Sequence, residues 1–216
     1  QEHAENLLPE YLRFVTGIVD SEDIKLNISR ETLQDNAVFR KLGSFLTKRL
    51  FRFLKSESEK DAEKYGTFWD TFGMFLKEGV VSDYEHRDDI APLLRFRSSH
   101  AEPDQWVSLD DYIARKKEDQ TAIYYINGTS RDQIEAGPYV ETFKSRGIEL
   151  LYLLEPVDDF VMTSLMEYES LKLVSADAAD IDLPGDDEDT GGEDAQDLGE
   201  KTREDLTAWM KEILGD

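Results

Sequence analysis

The feature that most restricts the fold is a change of hydrophobic period close to residue 100. Before it, apolar residues recur at helical spacing; after the polar stretch Ser98 to Gln105, punctuated by Pro103, short apolar runs of strand length alternate with helical segments. A chain that carries both patterns in this order is an α/β protein: a helical coil followed by a small αβα sandwich.

In the first part, Val38, Leu42, Phe45, Leu46, Leu50, Phe53 and Leu54 predict a helix from Asn36. Tyr65, Phe68, Trp69, Phe72, Phe75 and Leu76 predict a second, ending near Gly79, and a third starts at about Asp88 with Ile90, Leu93 and Leu94 inward. Three helices with short connections make a coil packed on itself over residues 36–100. The aromatic stripe has the spacing a core requires, rather than that of a cofactor box. Arg40, Lys41, Lys48, Arg49 and Arg52 form either a nucleic-acid face or a solvated one. With 48 acidic and 25 basic residues the net charge is -23, which repels phosphate and favours the solvated face.

In the second part, residues 101–176, Ser108 caps a short helix through Asp110, Asp111, Tyr112 and Arg115. Ala122 to Ile126 is a strand ended by Asn127-Gly128. Arg131 to Arg146 is helical, interrupted at Gly137-Pro138 and closed at Gly147. Ile148 to Leu154 is a second strand, Pro156 opens another helix, and Leu171 to Ser175 is a third strand. This alternation implies a small parallel, Rossmann-like sheet with helices against it. Neither Gly-x-Gly-x-x-Gly nor Gly-Lys-Ser/Thr follows the first strand, so the sheet is a scaffold rather than a nucleotide site. Phe160, Val161, Met162, Leu165 and Met166 offer more apolar positions than one buried face consumes. They are either core or an adaptable contact surface.

The two ends are different in kind. Leu7, Leu8, Tyr11, Leu12, Phe14 and Val15 are too apolar for a free tail and predict a short helix, then a strand through Phe14 to Val19. Residues 177–200 carry a dense run of carboxylates without Lys or Arg up to Asp197 and form an acidic, flexible linker. Asp186 to Asp189 lacks the frame of a calcium loop. Leu206, Trp209, Met210, Ile213 and Leu214 form a helical stripe over 201–216 that needs a partner. In Leu26-Asn27-Ile28-Ser29-Arg30-Glu31-Thr32-Leu33-Gln34, a strand end leads to a capped helix start. Arg30 and Gln34, four residues apart, project from one side of a helical turn. They are either a fork and an amide that can hold an anion such as phosphate, or a surface arginine beside a capped helix. His3, His86 and His100 lack metal-ligand spacing. No cysteine is present, which excludes disulfides and thiolate metal sites and fits a reducing cytoplasm. No run approaches the ~20 apolar residues of a membrane span.

Several blocks, taken in order, resemble the heat-shock protein 90 chaperone family, most nearly its bacterial high-temperature protein G type. They are Leu7 to Val15, Val19 to Asp23, Leu26 to Glu31, Lys64-Tyr65 with Phe68-Trp69, Leu93 to Phe96, Val107 to Tyr112, Ile123 to Ile126 and Glu155 to Asp158, spanning roughly residues 5–183. The resemblance implies a piece of a longer polypeptide: the tail of the family's large middle-domain αβα sandwich (1–35), the coil, the small sandwich, the linker, and the first helix of the C-terminal dimerisation domain. It implies that Arg30 reaches the γ-phosphate of ATP, held with magnesium by a separate N-terminal domain, while Gln34 positions the loop. The full-length protein is then expected to be an ATPase and this chain alone inactive. Phe160, Met162, Thr163 and Met166 become candidates for binding unfolded or partly folded client proteins, although some bacterial relatives carry Trp where this chain has Phe160. Other expectations are a cytoplasmic homodimer with no nucleic-acid, membrane or metal partner. The alternative is a non-catalytic α/β scaffold or adaptor that binds unfolded protein only.

Overall fold

The computed structural model describes residues 7–20, 37–178, 181 and 183. The stretch Leu26 to Gln34, most of the acidic segment and the expected helix over 201–216 lie outside them. The chain divides into two compact units, residues 1–181 and 182–216, and every element below belongs to the first.

Two long helices, α1 (Ala37–Lys60) and α2 (Ala62–Ser82), meet at Asp61, whose carboxylate accepts from the Lys64 amide at 2.9 Å and caps α2. Gly43, Thr47, Phe51, Leu54 and Ser58 form the buried ladder of α1, each three or four residues from the next. Phe45 and Phe53 fall off that ladder and face solvent, so the apolar set read from the sequence is wider than the face that packs. The basic positions Arg40, Lys41, Lys48, Arg49 and Arg52 are exposed, as a solvated face requires. Along α2, Tyr65, Trp69, Leu76 and Val80 are buried, Phe68 packs against the core half-buried, and Phe72 and Phe75 are half-buried beside Phe14. Fully burying a side chain such as Leu76 contributes about 1.5–3 kcal/mol.

The third helix is shorter than its spacing predicts. α3 (Arg87–Ile90) passes into a 3₁₀ turn over Ala91–Leu93, because Pro92 has no amide to continue an α-helical ladder. Near the start of the chain, Glu10–Leu12 form the expected short helix, of 3₁₀ type. The strand expected over Phe14 to Val19 is not formed: residues 15–20 are irregular and Ile18 is wholly exposed. A strand needs a neighbour to pair with, and the described residues offer none there.

The sheet has five strands in the order β1-β3-β2-β5-β4. β2 (Ala122–Asn127), β3 (Leu151–Leu153) and β5 (Leu171–Ser175) are parallel, with Tyr125 opposite Leu151 and Ile123 opposite Leu173. The edges, β1 (Arg97–Ser98) and β4 (Glu167–Tyr168), are antiparallel two-residue strands too short to leave a periodic signal. Helices α4 (Leu109–Arg115), α5 (Arg131–Glu135), α6 (Pro138–Ser145) and α7 (Pro156–Leu165) connect them. Gly147, at φ 62°, ends α6.

One hydrophobic core runs from Phe51 and Trp69 through Leu94, Phe96 and Tyr112 to Ile123, Leu151 and Val161. Residues 36–100 and 101–176, distinct in pattern, therefore share their interior. The buried Tyr112 hydroxyl ties the layers: it donates to the Glu149 carbonyl at 2.8 Å and accepts from Gln120 Nε2 and the Tyr124 amide. Beside it the buried Glu149 carboxylate accepts two bonds from Arg115, at 2.8 and 2.9 Å, and one from the Ser98 hydroxyl.

Candidate functional site

Helix α7 is fixed at both ends by groups on α2 and α3. At its start Glu155 and Asp158 form a reciprocal capping box, with Pro156 in the first turn. Asp158 Oδ2 accepts from the Glu155 amide at 3.1 Å. Beneath this turn, on α2, Lys77 is only 3% exposed; its Nζ lies 2.6 Å from Asp158 Oδ1 and 2.8 Å from Glu155 Oε2. The ammonium also lies 5.7 Å from the Trp69 ring centre and 5.8 Å from that of Phe96. Burial pushes the Asp158 carboxyl above the usual carboxylate range, with the Lys77 charge acting against that rise.

At the other end Arg87 donates to the Ser164 carbonyl at 2.6 Å and to the Val80 carbonyl at 2.9 Å. A cation thus answers the negative end of the helix. Met166, at φ 59°, turns the chain out of α7 into β4, and its carbonyl accepts from the Leu173 amide. A left-handed methionine is costly and is held here by its bond from β5.

These anchors decide what α7 shows to solvent. Asp158, Val161, Met162 and Leu165, spaced by three, one and three residues, face inward. Phe160 and Met166 are 62% and 66% exposed, and Thr163 is exposed between them in sequence. Of the four residues singled out as a contact surface, Phe160, Thr163 and Met166 lie outside. Met162 is 2% exposed and belongs to the core, because it stands four residues after Asp158 and three before Leu165 on the buried stripe. Sequence reasoning passed over Lys77 and Arg87. A signal for Lys77 was present, since it falls four residues after Gly73 and three before Val80 on the buried register of α2. Its carboxylate partners, 78 and 81 residues further on, leave no local trace.

The catalytic pair expected from the resemblance, Arg30 and Gln34, lies outside the described residues. Within them, the turn after β2 uses its donors on itself: the Thr129 amide and hydroxyl both donate to Gln133 Oε1 at 2.8 Å, and the Gln133 amide donates to Ser130 Oγ. It is a helix cap, with no set of amides aimed outward at a phosphate. Among the described residues no group of three His, Asp or Glu converges as a metal ion requires. None of the described helices is long and apolar enough to cross a membrane.

Comparison with known proteins places this architecture in a class. The profile of the Hsp90 protein family matches residues 1–216, and the chain belongs to that family. It is similar to chaperone protein HtpG of Desulfotalea psychrophila, 50% identical over 215 residues that cover 100% of this chain and 35% of that protein. HtpG of Desulfitobacterium hafniense is 44% identical over 216 residues, again 100% of this chain and 35% of the relative. HtpG of Salmonella typhimurium is 43% identical over 216 residues, 99% of this chain and 34% of the relative. The chain thus spans about a third of the length of the relatives it matches.

Proposed function

We propose that the chain is a middle stretch of an ATP-dependent chaperone. Phe160, Thr163 and Met166 on α7 contact unfolded or partly folded clients. Arg30 and Gln34 serve ATP bound with magnesium by a separate N-terminal domain of the same polypeptide. The observation that carries the client part is a helix pinned at both ends that nonetheless leaves a large aromatic and a methionine in solvent. A rigid helix with adaptable apolar side chains suits a surface that must accept many sequences.

The catalytic part rests on the match of Asn27-Ile28-Ser29-Arg30-Glu31, with Gln34 four residues after Arg30, to the family's block. A pre-placed guanidinium stabilises charge developing on a phosphate in transfer, and such arginines contribute on the order of 10³-fold or more in rate. Homodimerisation through a further C-terminal domain and residence in the cytoplasm complete the proposal; the absence of cysteine agrees with the latter.

Phe160→Ser in the full-length polypeptide tests the client face. The expected result is at least several-fold weaker binding of a destabilised client with unchanged thermal unfolding. Unfolding of the variant, or undiminished client affinity, contradicts the assignment.

A further inference from the structure

Tyr84, in the turn between α2 and α3, is 83% exposed, and its hydroxyl makes no hydrogen bond with any described residue. The turn that carries it is fixed. Asp83 Oδ1 accepts from the amides of Glu85 at 3.0 Å and His86 at 3.1 Å, and Asp83 Oδ2 accepts from the Tyr11 hydroxyl at 2.7 Å. One face of the Tyr84 ring lies over Arg87, whose guanidinium carbon is 4.8 Å from the ring centre. That same guanidinium closes the end of α7 on the Ser164 carbonyl, two residues before Met166. A single side chain thus joins the end of α7 to the Tyr84 ring, and Tyr84 adds to the surface on which Phe160 and Met166 are exposed. Arg87 does not need the ring to stay in place, because the Val80 and Ser164 carbonyls already hold it. An aromatic ring offered on a rigid support loses little side-chain entropy on contact and makes an effective anchor.

The charge beside the ring is of one sign. Arg87 is the only Lys or Arg from Glu78 to Asp89, and it is spent on the two carbonyls, whereas Glu85, Asp88 and Asp89 are exposed. Lys77, the nearest cation before it on α2, is buried against Glu155 and Asp158. On α7, Asp159 is exposed next to Phe160. A segment that carries lysine or arginine beside its apolar side chain gains from these carboxylates, and one that carries acidic residues is repelled. We propose that Tyr84 is a further client-contact residue, and that it takes an unfolded client stretch with an apolar or aromatic side chain beside lysine or arginine. This rests on the client reading of α7 given above, to which it adds a second element and a chemical preference.

The test uses the full-length polypeptide and two unstructured, fluorescently labelled peptides, one with a tryptophan flanked by lysines and one with glutamate in place of each lysine. Tyr84→Ser is expected to bind the lysine peptide about five-fold more weakly, with unchanged thermal unfolding. Tyr84→Phe, which keeps the ring and removes only the unpaired hydroxyl, is expected to bind as the parent does. The glutamate peptide is expected to bind the parent several-fold more weakly than the lysine peptide, by a margin that salt reduces. If Tyr84→Ser binds the lysine peptide as the parent does while Phe160→Ser binds it weakly, the Tyr84 contact is wrong and the α7 reading stands. A Tyr84→Ser variant that unfolds at lower temperature, or a Tyr84→Phe variant that loses the same affinity, also overturns the contact role of the ring. Equal affinity for the two peptides overturns the charge preference. If the parent binds neither peptide, or if neither Tyr84→Ser nor Phe160→Ser weakens binding, the client reading of α7 fails and the inference falls with it.

Discussion

Lys77 is the side chain on which the candidate client face most depends. A lone ammonium in this interior would be very costly, and its position is tenable because two carboxylates from the first turn of α7 reach it. Such a pair is weak evidence for net stability, but removing one partner leaves the other charge buried and alone. Lys77→Met is expected to destabilise by about 3–5 kcal/mol, read by urea unfolding, whereas Lys77→Met with Asp158→Leu is expected to recover most of that loss. If the single change costs less than about 1 kcal/mol, the pair does not anchor α7.

At the scale of elements, helix termini are where sequence and structure agree best. Ser108 is legible as an N-cap, and the structure adds the reciprocal bond to Asp111 that completes a capping box. Partial burial alone would raise the Asp111 carboxyl. Hydrogen bonds from Ser108 and the charges of Arg95 and Arg115 outweigh that and hold it below its ordinary 3.8. Its folded-state affinity for a proton is thus lower than in the unfolded chain. The stabilisation is present above pH 3.8 and is lost as pH falls toward the lower folded value. Asp111→Asn is expected to reduce stability at neutral pH and to flatten the acid limb below pH 3.8 in unfolding curves taken across that range. An acid limb of unchanged slope would contradict it.

The elements that escaped the sequence did so for definite reasons. β1 and β4 are two residues long and exist because β3 and β5 offer edges to pair with, a long-range fact with no local period. The strand expected over Phe14 to Val19 failed on the same principle: its residues are apolar enough, but the described residues give it no neighbour. Met162 was legible in hindsight from its three- and four-residue spacing to Leu165 and Asp158. An apolar residue counted by type alone cannot be assigned to a face.

For the whole molecule, membership in the Hsp90 family accounts for why one chain joins a helical coil to a small sheet and then to a strongly acidic stretch. The coil and sheet share a core, to which α7 contributes Val161, Met162 and Leu165. That architecture suits the two contacts proposed above, with a client protein and with a nucleotide held elsewhere. The fold class and the longer elements from α1 to β5 could be read from hydrophobic period, whereas the short edge strands could not. The candidate catalytic pair could be read only by resemblance, because an arginine and a glutamine four residues apart are common on any helix.

ATP turnover by full-length protein carrying Arg30→Ala, measured beside its ATP affinity, tests the central claim most directly. The account predicts a loss of turnover on the order of 10³-fold with affinity nearly unchanged. Turnover equal to that of the parent protein would contradict it.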